Sequence, residues 1–181
     1  MKKLDFKGES KMKKFLALIL VVALIAISLI SCTSSKNTTT KVTHDTMSPL
    51  INKNESIIIR KIDAADVKVG DVISFYDPAS PNKSVITHRV VSIYEENGAR
   101  YAITAGDKNC KEQYDRDISI AGDDQEKIRE INNQATLMED ANEKGYEYIS
   151  YEPAFDTKPL KLVNENILGI YTYSKVISFG I

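Results

Sequence analysis

The sequence predicts a mostly β domain, built on an antiparallel sheet that is coiled or partly barrel-like, with one helical insertion. Residues 56–60 contain three consecutive isoleucines, which is typical of a buried strand. Residues 85–94 and 100–104 are rich in β-branched and aromatic residues, and the Asn97-Gly98 turn between them predicts a hairpin. Only one later stretch has the apolar spacing of a helix.

The strand predictions run along the whole domain. A turn at Gly70 leads into the next apolar run, and the two prolines within residues 77–83 indicate a loop because proline cannot donate to a ladder. In chain order, the predicted strands cover residues 56–60, 72–76, 85–94, 100–104, 146–151 and 166–179, the last as one long or two short strands.

The predicted helical insertion covers about residues 123–145. Its apolar residues recur at helical spacing, and these are Ile128, Ile131, Ala135 and Met138. Asp123 or Asp124 can cap the start, and Gly145 can end the helix. The insertion therefore separates the predicted hairpin from the C-terminal strands.

Composition narrows the functional classes. The chain has 181 residues, of which 43% are hydrophobic, so one domain with a buried core fits beside a targeting segment. The net charge of −1 gives no reason to expect nucleic-acid binding. Of the two cysteines, Cys110 has no intrachain partner if Cys32 is lipidated, which would exclude a disulfide framework. No cysteine–histidine cluster has zinc spacing. We expect no cofactor.

Residues 1–32 are predicted to form a signal or membrane-anchor segment. Six lysines within residues 1–14 precede the uncharged stretch 15–31. As a helix that stretch spans roughly 25 Å, slightly less than the ~30 Å hydrocarbon core of a bilayer. It fits an uncleaved anchor helix, or a cleaved export signal whose translation starts at Met1 or Met12.

The end of this segment, Leu29-Ile30-Ser31-Cys32, resembles a bacterial lipobox. The resemblance implies lipidation of Cys32 and cleavage before it. Either interpretation predicts that the rest of the chain lies on the extracytoplasmic face of the cell membrane, because the lysines stay inside. Residues 33–41 are then expected to be a flexible polar tether, and residues 42–181 the β domain.

Three short runs contain the chemistry-bearing residues. Thr46 lies in Thr-Met-Ser-Pro-Leu, His88 in Thr-His-Arg-Val-Val, and Asp107 in Thr-Ala-Gly-Asp-Lys-Asn. A hydroxyl, an imidazole and a carboxylate can act as nucleophile, base and orienting group. The chain has only two histidines, and His44 lies beside the first run.

With residues 70–75 (Gly-Asp-Val-Ile-Ser-Phe), these runs resemble, in order, the motifs of the type I signal peptidases. The similarity is to the branch that uses histidine as general base, found in archaea, the endoplasmic reticulum and some Gram-positive bacteria. It covers about residues 42–117 well and the C-terminal strands weakly. It implies a membrane-attached endopeptidase that cleaves signal peptides from exported pre-proteins bound as extended peptides along a strand edge.

The resemblance also implies the site. Thr46 would be the nucleophile and His88 the base, with Asp107 or Asp115 (or Asp117) orienting it. Three polar residues would support the oxyanion or the loop, namely His44, Ser48 and Asn109. Three residues would bind the substrate, namely Met47, Pro49 and Leu50.

Two departures from the motifs leave alternatives open. Thr46 stands where the family has its nucleophilic serine, and its methyl group restricts the attack. His44 replaces a serine that supports the oxyanion. An inactive relative that binds peptides or a partner protein, as an extracytoplasmic lipoprotein, is therefore the alternative function. A metal site formed by His44, His88 and Asp107 is a weaker one.

Overall fold

A computed structural model describes residues 36–156 and 158–176. The predicted anchor segment, Cys32 and residues 177–181 lie outside this range. The strands are β1 (Asn37–Lys41), β2 (Ser56–Arg60), β3 (Val72–Tyr76), β4 (Val85–Glu96), β5 (Ala99–Ala105), β6 (Ala135–Glu139), β7 (Glu147–Tyr151), β8 (Leu160–Lys161) and β9 (Ile167–Lys175). The helices are α1 (Asp107–Ala121) and α2 (Gln125–Asn133), with short 3-10 turns at Ala64–Asp66 and Glu152–Ala154.

Seven strands form one sheet in the order β1-β2-β9-β3-β4-β5-β8, and every neighbouring pair is antiparallel. The sheet is not closed within the described residues, since β1 and β8 are its two edges. Strands β6 and β7 form a separate antiparallel pair. The predicted mostly β, antiparallel fold is therefore confirmed.

Alternating apolar residues of the strands build the core. One cluster contains Ile73, Phe75 and Val90 from the centre of the sheet. A second cluster packs Ile57 and Ile59 of β2 against residues of the segment that carries Thr46. Of the three isoleucines, Ile57 and Ile59 are buried as predicted and Ile58 is half-buried. The β2 side of the sheet thus lies beneath the candidate nucleophile.

The helical insertion differs from the prediction. Helix α1 begins at Asp107, well before residue 123, and α2 ends at Asn133. Residues 135–139, predicted as the end of the helix, form strand β6 paired with β7. Of the predicted caps, Asp124 does begin α2, because its side chain accepts hydrogen bonds from the backbone N–H groups of Glu126 and Lys127.

The predicted tether is also shorter than expected. Residues 37–41 are strand β1, in register with β2 from Asn37↔Arg60 to Lys41↔Ser56. Ladder hydrogen bonds hold this polar segment although it buries little apolar surface. In the described part of the chain, no helix has the length and apolar character to cross a bilayer.

Candidate active site

Three side chains form a hydrogen-bonded row at one side of the sheet. His88 Nε2 lies 3.1 Å from Thr46 Oγ1, and His88 Nδ1 lies 3.0 Å from Asp156 Oδ2. The imidazole is largely buried, with 8% of its side chain exposed, whereas 36% of the Asp156 side chain is exposed. The structure therefore brings together a hydroxyl, an imidazole and a carboxylate from three distant parts of the chain.

The chemistry of these groups sets the direction of each hydrogen bond. An ionised carboxylate only accepts, so the proton between His88 and Asp156 belongs to Nδ1. In the neutral ring Nε2 then carries the lone pair and accepts from the Thr46 hydroxyl. This tautomer, assigned from the hydrogen-bond network, is the one in which His88 can remove a proton from Thr46.

Contacts of the Thr46 backbone and of the adjacent Met47 hold Thr46 in place. The adjacent Met47 is 1% exposed and packs into the core beside β2, which anchors the segment. The backbone N–H of Lys108, in the first turn of α1, donates to the Thr46 carbonyl at 2.9 Å. Gly106 lies so close that a Cβ there would stand 2.6 Å from the same carbonyl oxygen. These contacts leave the hydroxyl side of Thr46 facing His88.

His88 is placed by strand β4, where it pairs with Ile73 of β3. The His88 and Phe75 rings form a T-shaped contact, with a centroid distance of 6.4 Å. Asp156 is held by Thr104 of β5, which donates its hydroxyl to Asp156 Oδ2 and accepts the Asp156 backbone N–H at 2.9 Å. The neighbouring strands β4 and β5 thus hold the base and its carboxylate partner.

The structure corrects the prediction that Asp107 contacts His88. Both oxygens of Asp107 accept from Arg89, at 2.9 and 2.7 Å, and Tyr146 donates to the same carboxylate at 3.1 Å. Arg89 follows His88 on β4, and alternation sends neighbouring side chains to opposite faces. Asp107 therefore belongs to a buried ion cluster on the other face.

That cluster joins the insertion to the sheet. Arg89 also donates to Asp140 at 2.6 Å, and its guanidinium lies over the Tyr148 ring at 3.8 Å from the centroid. Burial opposes the charge on Arg89, but the two carboxylates outweigh it and raise the pKa of the guanidinium. Burial also opposes the charge on Asp140, yet hydrogen bonds led by Tyr173 lower the pKa of this carboxyl overall.

The other predicted polar residues do not point at the row. Asp115 is exposed on α1 and pairs with Lys111 at 2.6 Å, so it does not contact His88. Asp117 accepts from Tyr151 at 2.7 Å. The Ser48 hydroxyl donates to Asn52 at 2.8 Å, and Asn109 is exposed in the first turn of α1. These positions provide no orienting carboxylate for the base.

The predicted substrate-binding residues are also displaced. Met47 is 1% exposed and Leu50 5%, because both belong to the core cluster. They support Thr46 from inside, and the small exposed part of Leu50 lines a separate groove that includes neither Thr46 nor His88. Pro49 is exposed, but it lines a different groove, beside Asp107 and α1.

A cleft of about 220 Å³ opens at Thr46 and His88. One wall is the segment Lys41 to His44, which begins at the last residue of β1, and the other is the start of β4, including Val85, Ile86 and Thr87. Strand β4 pairs with β3 along this stretch, but its pairing with β5 begins only at Arg89. The first part of β4 therefore borders the cleft with the edge that does not pair with β3.

Backbone polar groups on both walls face the cleft. Val42 is hydrogen-bonded to residues 54 and 55, which lie just before β2. Backbone groups alternate in direction along an extended segment, so the N–H and C=O groups of Lys41 and Thr43 point away from β2. Val90 bonds to the β3 side, so Val85 and Thr87 likewise face away from β3. On both walls of the cleft, these backbone N–H and C=O groups thus point away from β2 and β3 and are not used by those ladders.

His44 lines the same cleft as Thr46. Its ring is exposed, and Nδ1 lies 3.0 Å from the Thr43 hydroxyl. When Thr43 donates to Nδ1, the neutral ring carries its proton on Nε2, which is then available as a donor. The predicted support of an oxyanion by His44 is compatible with this position.

Two residues of the candidate site could not be identified from the sequence. Asp156 lies 68 positions from His88 in an irregular segment between β7 and β8, and no motif spacing marks it. Thr104 belongs to the Thr-Ala-Gly-Asp-Lys-Asn run, but nothing in the sequence indicates its partner. Among residues 36–156 and 158–176, no group of three or more potential ligands is placed to hold a metal ion, and His44, His88 and Asp107 do not form one.

Comparison with protein-family models, curated proteins and solved structures found no match for this chain.

Proposed function

We propose that this chain is a membrane-attached endopeptidase similar to the histidine-base type I signal peptidases, with Thr46 as nucleophile, His88 as general base and Asp156 as the orienting carboxylate. The observation that carries the proposal is the directed row of hydrogen bonds from Thr46 through His88 to Asp156. The order of the sequence motifs supports the same class.

The reaction follows from the direction of the hydrogen bonds. Thr46 Oγ attacks the scissile carbonyl carbon while His88 Nε2 takes the hydroxyl proton. Collapse of the tetrahedral intermediate breaks the C–N bond, and the imidazolium gives its proton to the leaving amine. Water then attacks the ester by the same base catalysis and releases the new carboxylate. Asp156 stabilises the imidazolium throughout.

The oxyanion needs hydrogen-bond donors about 3 Å from the position that the developing O⁻ will occupy. The Thr46 backbone N–H and the His44 ring are the candidate donors in this site. The tautomer of His44 in which Thr43 donates to Nδ1 supplies an Nε2–H for that purpose. His44 would thereby replace the serine hydroxyl that the family has at this position.

An extended peptide is the substrate that fits the cleft. A strand placed between the two walls would bond to Lys41 and Thr43 on one side and to Val85 and Thr87 on the other. Between them, the apolar lining of the cleft comes from Val42, Val85 and Ile86, and the cleft volume is only about 220 Å³. Small side chains before the scissile bond suit such a cleft better than aromatic ones.

Residues 1–32 suggest where the peptide comes from. Their lysine-rich start and uncharged stretch support attachment at the extracytoplasmic face of the membrane, through a helix or through lipidated Cys32. Pre-proteins that leave an export channel present extended segments at that face. Signal peptides of exported pre-proteins are thus the proposed substrates, and the membrane is the proposed setting.

A cleavage assay tests this proposal. The full-length chain in detergent is incubated with a signal-peptide substrate that has small residues before the cut. Wild type is expected to cleave, Thr46→Ser to cleave faster because the crowding methyl is lost, and Thr46→Val and His88→Ala to lose activity. Absence of cleavage by both wild type and Thr46→Ser would exclude the peptidase function.

A second candidate is a binding protein that uses the same cleft without catalysis. It is favoured by the replacement of both serines of the first motif, by His44 and Thr46. This protein would retain the substrate peptide with similar affinity in wild type, Thr46→Val and His88→Ala. Peptide binding measured beside the cleavage assay separates the two candidates.

A further inference from the structure

We propose that Thr104 is a positioning residue that holds Asp156 against His88 and thereby fixes the tautomer of the base. This inference rests on the proposed function for its consequences in catalysis. Its structural part, the control of the His88 ring by a strand threonine, can be tested without any peptide cleavage.

Asp156 needs an external support. It lies in an irregular segment after the 3-10 turn Glu152–Ala154, and 36% of its side chain is exposed. A carboxylate on such a segment can rotate into water unless other contacts fix it. In orienting triads the carboxylate must keep one place relative to the imidazole, because displacement of about 1 Å can lower the rate about 100-fold.

Thr104 supplies that support through two contacts with one residue. Its carbonyl accepts the Asp156 backbone N–H at 2.9 Å, which fixes the main chain. Its hydroxyl bonds to Asp156 Oδ2, the oxygen that also accepts from His88 Nδ1. Because the carboxylate only accepts, Thr104 must donate. Two donors from adjacent strands therefore converge on the same oxygen.

The position of Thr104 makes this contact stiff. It is 3% exposed, and it lies on β5 opposite Val90, two residues beyond His88 along β4. A threonine on a strand has few χ1 choices, so its hydroxyl keeps one direction. The sheet thus sets the distance between the support and the base, and Asp156 is held between them.

The test follows the tautomer of His88 by nitrogen NMR. Full-length protein in detergent is labelled with ring-¹⁵N histidine and measured at mildly alkaline pH, with His44→Gln used to assign the signals. Wild type is expected to show His88 protonated at Nδ1. Thr104→Val, which keeps the shape and removes the hydroxyl, is expected to show a mixture of tautomers. Thr104→Ser is expected to retain the wild-type pattern.

Thr172→Val is the matched control, because the Thr172 hydroxyl donates to the Ile58 carbonyl in another part of the sheet. It removes one hydroxyl bond without touching the row. Thr104→Ala replaces Thr104→Val if the valine variant does not fold. Retention of the pure Nδ1–H tautomer in the folded Val or Ala variant would overturn the inference.

The kinetic readout applies when the wild type cleaves. Thr104→Val is then expected to lower kcat about 10- to 100-fold with KM nearly unchanged, and Thr104→Ser to stay within about 3-fold of wild type. An equal loss in Thr104→Ser and Thr104→Val, or in Thr172→Val, would also overturn the inference. If neither wild type nor any variant cleaves, the proposed function fails. The NMR measurement of the His88 tautomer then tests by itself whether Thr104 positions Asp156.

Discussion

Gly106 lies directly against Thr46, with no room for a side chain between them. A Cβ on residue 106 would stand 2.6 Å from the Thr46 carbonyl oxygen and 2.8 Å from the Thr46 Cβ. The φ of Gly106 is −82°, which any residue can adopt, so space is the reason for the glycine. The link between β5 and α1 thus sets how near Thr46 can come to the sheet.

Gly106→Ala is expected to displace Thr46. Backbone atoms must shift to admit the methyl group, which lowers the free energy of unfolding by about 1–3 kcal/mol. We expect kcat to fall at least about 100-fold, since the Thr46 hydroxyl leaves its place beside His88. Denaturant unfolding and peptide cleavage measure the two effects.

Gly122→Ala is the control for this change. Gly122 has a φ of 56° and a ψ of −117°, with open space around its Cβ position, so alanine there costs roughly 1–3 kcal/mol through backbone strain alone. It should lower stability and leave kcat unchanged. Equal kcat losses in both variants would mean that stability, and not the place of Thr46, limits activity.

The two aspartates are expected to respond in opposite ways. Asp156→Asn should leave the fold intact and lower kcat about 10⁴-fold, because an amide does not hold the imidazole in the required tautomer. Asp107→Asn should lower the free energy of unfolding by about 3 kcal/mol, because it leaves buried Arg89 with one carboxylate partner fewer. Thermal unfolding and kcat, measured on both variants, check this division of roles. A larger loss of kcat for Asp107→Asn than for Asp156→Asn would favour Asp107, and not Asp156, as the carboxylate that orients His88.

His44→Ala tests the oxyanion donor. The side chain is exposed, so its removal should change stability little. Loss of one donor to the oxyanion is expected to lower kcat about 100- to 1000-fold without a comparable change in KM. His44→Gln retains an N–H donor and should recover part of the rate. An unchanged kcat in His44→Ala would mean that the His44 ring does not donate to the oxyanion, and the Thr46 backbone N–H would be the one remaining candidate donor.

Buried tyrosines are expected to make stability fall at alkaline pH. Burial raises the pKa of Tyr171 to about 12, and it raises the pKa of Tyr146 and Tyr173 as well. The folded state therefore holds these protons more tightly than the unfolded state, whose tyrosines titrate near 10. Stability from this source is complete below pH 10 and is lost as pH rises toward 12.

Urea unfolding across this range measures the effect. Tyr171→Phe keeps the buried ring and removes one ionisable hydroxyl. Its free energy of unfolding should therefore fall less than that of wild type between pH 9 and pH 12, and the difference between the two should be roughly 2 kcal/mol at most. A wild-type stability that stays constant from pH 9 to pH 12 would contradict this account of the buried tyrosines.

Strands were the more predictable part of the fold. The isoleucines of β2 and the Asn97-Gly98 turn between β4 and β5 carry their own local signals, so these elements formed where the sequence placed them. Strand β1 has no such signal: its polar residues gain order only through ladder bonds to β2. Pairing between distant segments is not visible in a single sequence.

Helix α1 shows a second limit. Its sequence is polar on most positions, and only Asp107, Cys110 and Ala121 are buried, so it lacks a wide apolar stripe. It begins after Gly106 without a side-chain cap, and the usual start signal is therefore missing. The contact of its first turn with Thr46 could not be predicted from helical spacing.

In the candidate site, short-range motifs located the hydroxyl and the imidazole, and the structure places Thr46 and His88 in contact. The motif that contains Asp107 predicts the carboxylate there. Side chains alternate along β4, so Arg89 lies on the face opposite His88, and Asp107 accepts hydrogen bonds from Arg89 there. Asp156 reaches the site through the path of the segment between β7 and β8, which no local pattern encodes.

The most direct test of the account is to locate the acyl group during turnover. Full-length protein is mixed with substrate peptide, quenched with acid and digested with trypsin, which releases residues 42–53 as one peptide. Fragment masses are expected to place the acyl group on Thr46 in wild type and in Ser48→Ala, and to show none in Thr46→Val or His88→Ala. An acyl group on Thr43 or Ser48, or undiminished cleavage by Thr46→Val, would contradict the assignment of Thr46 as the nucleophile.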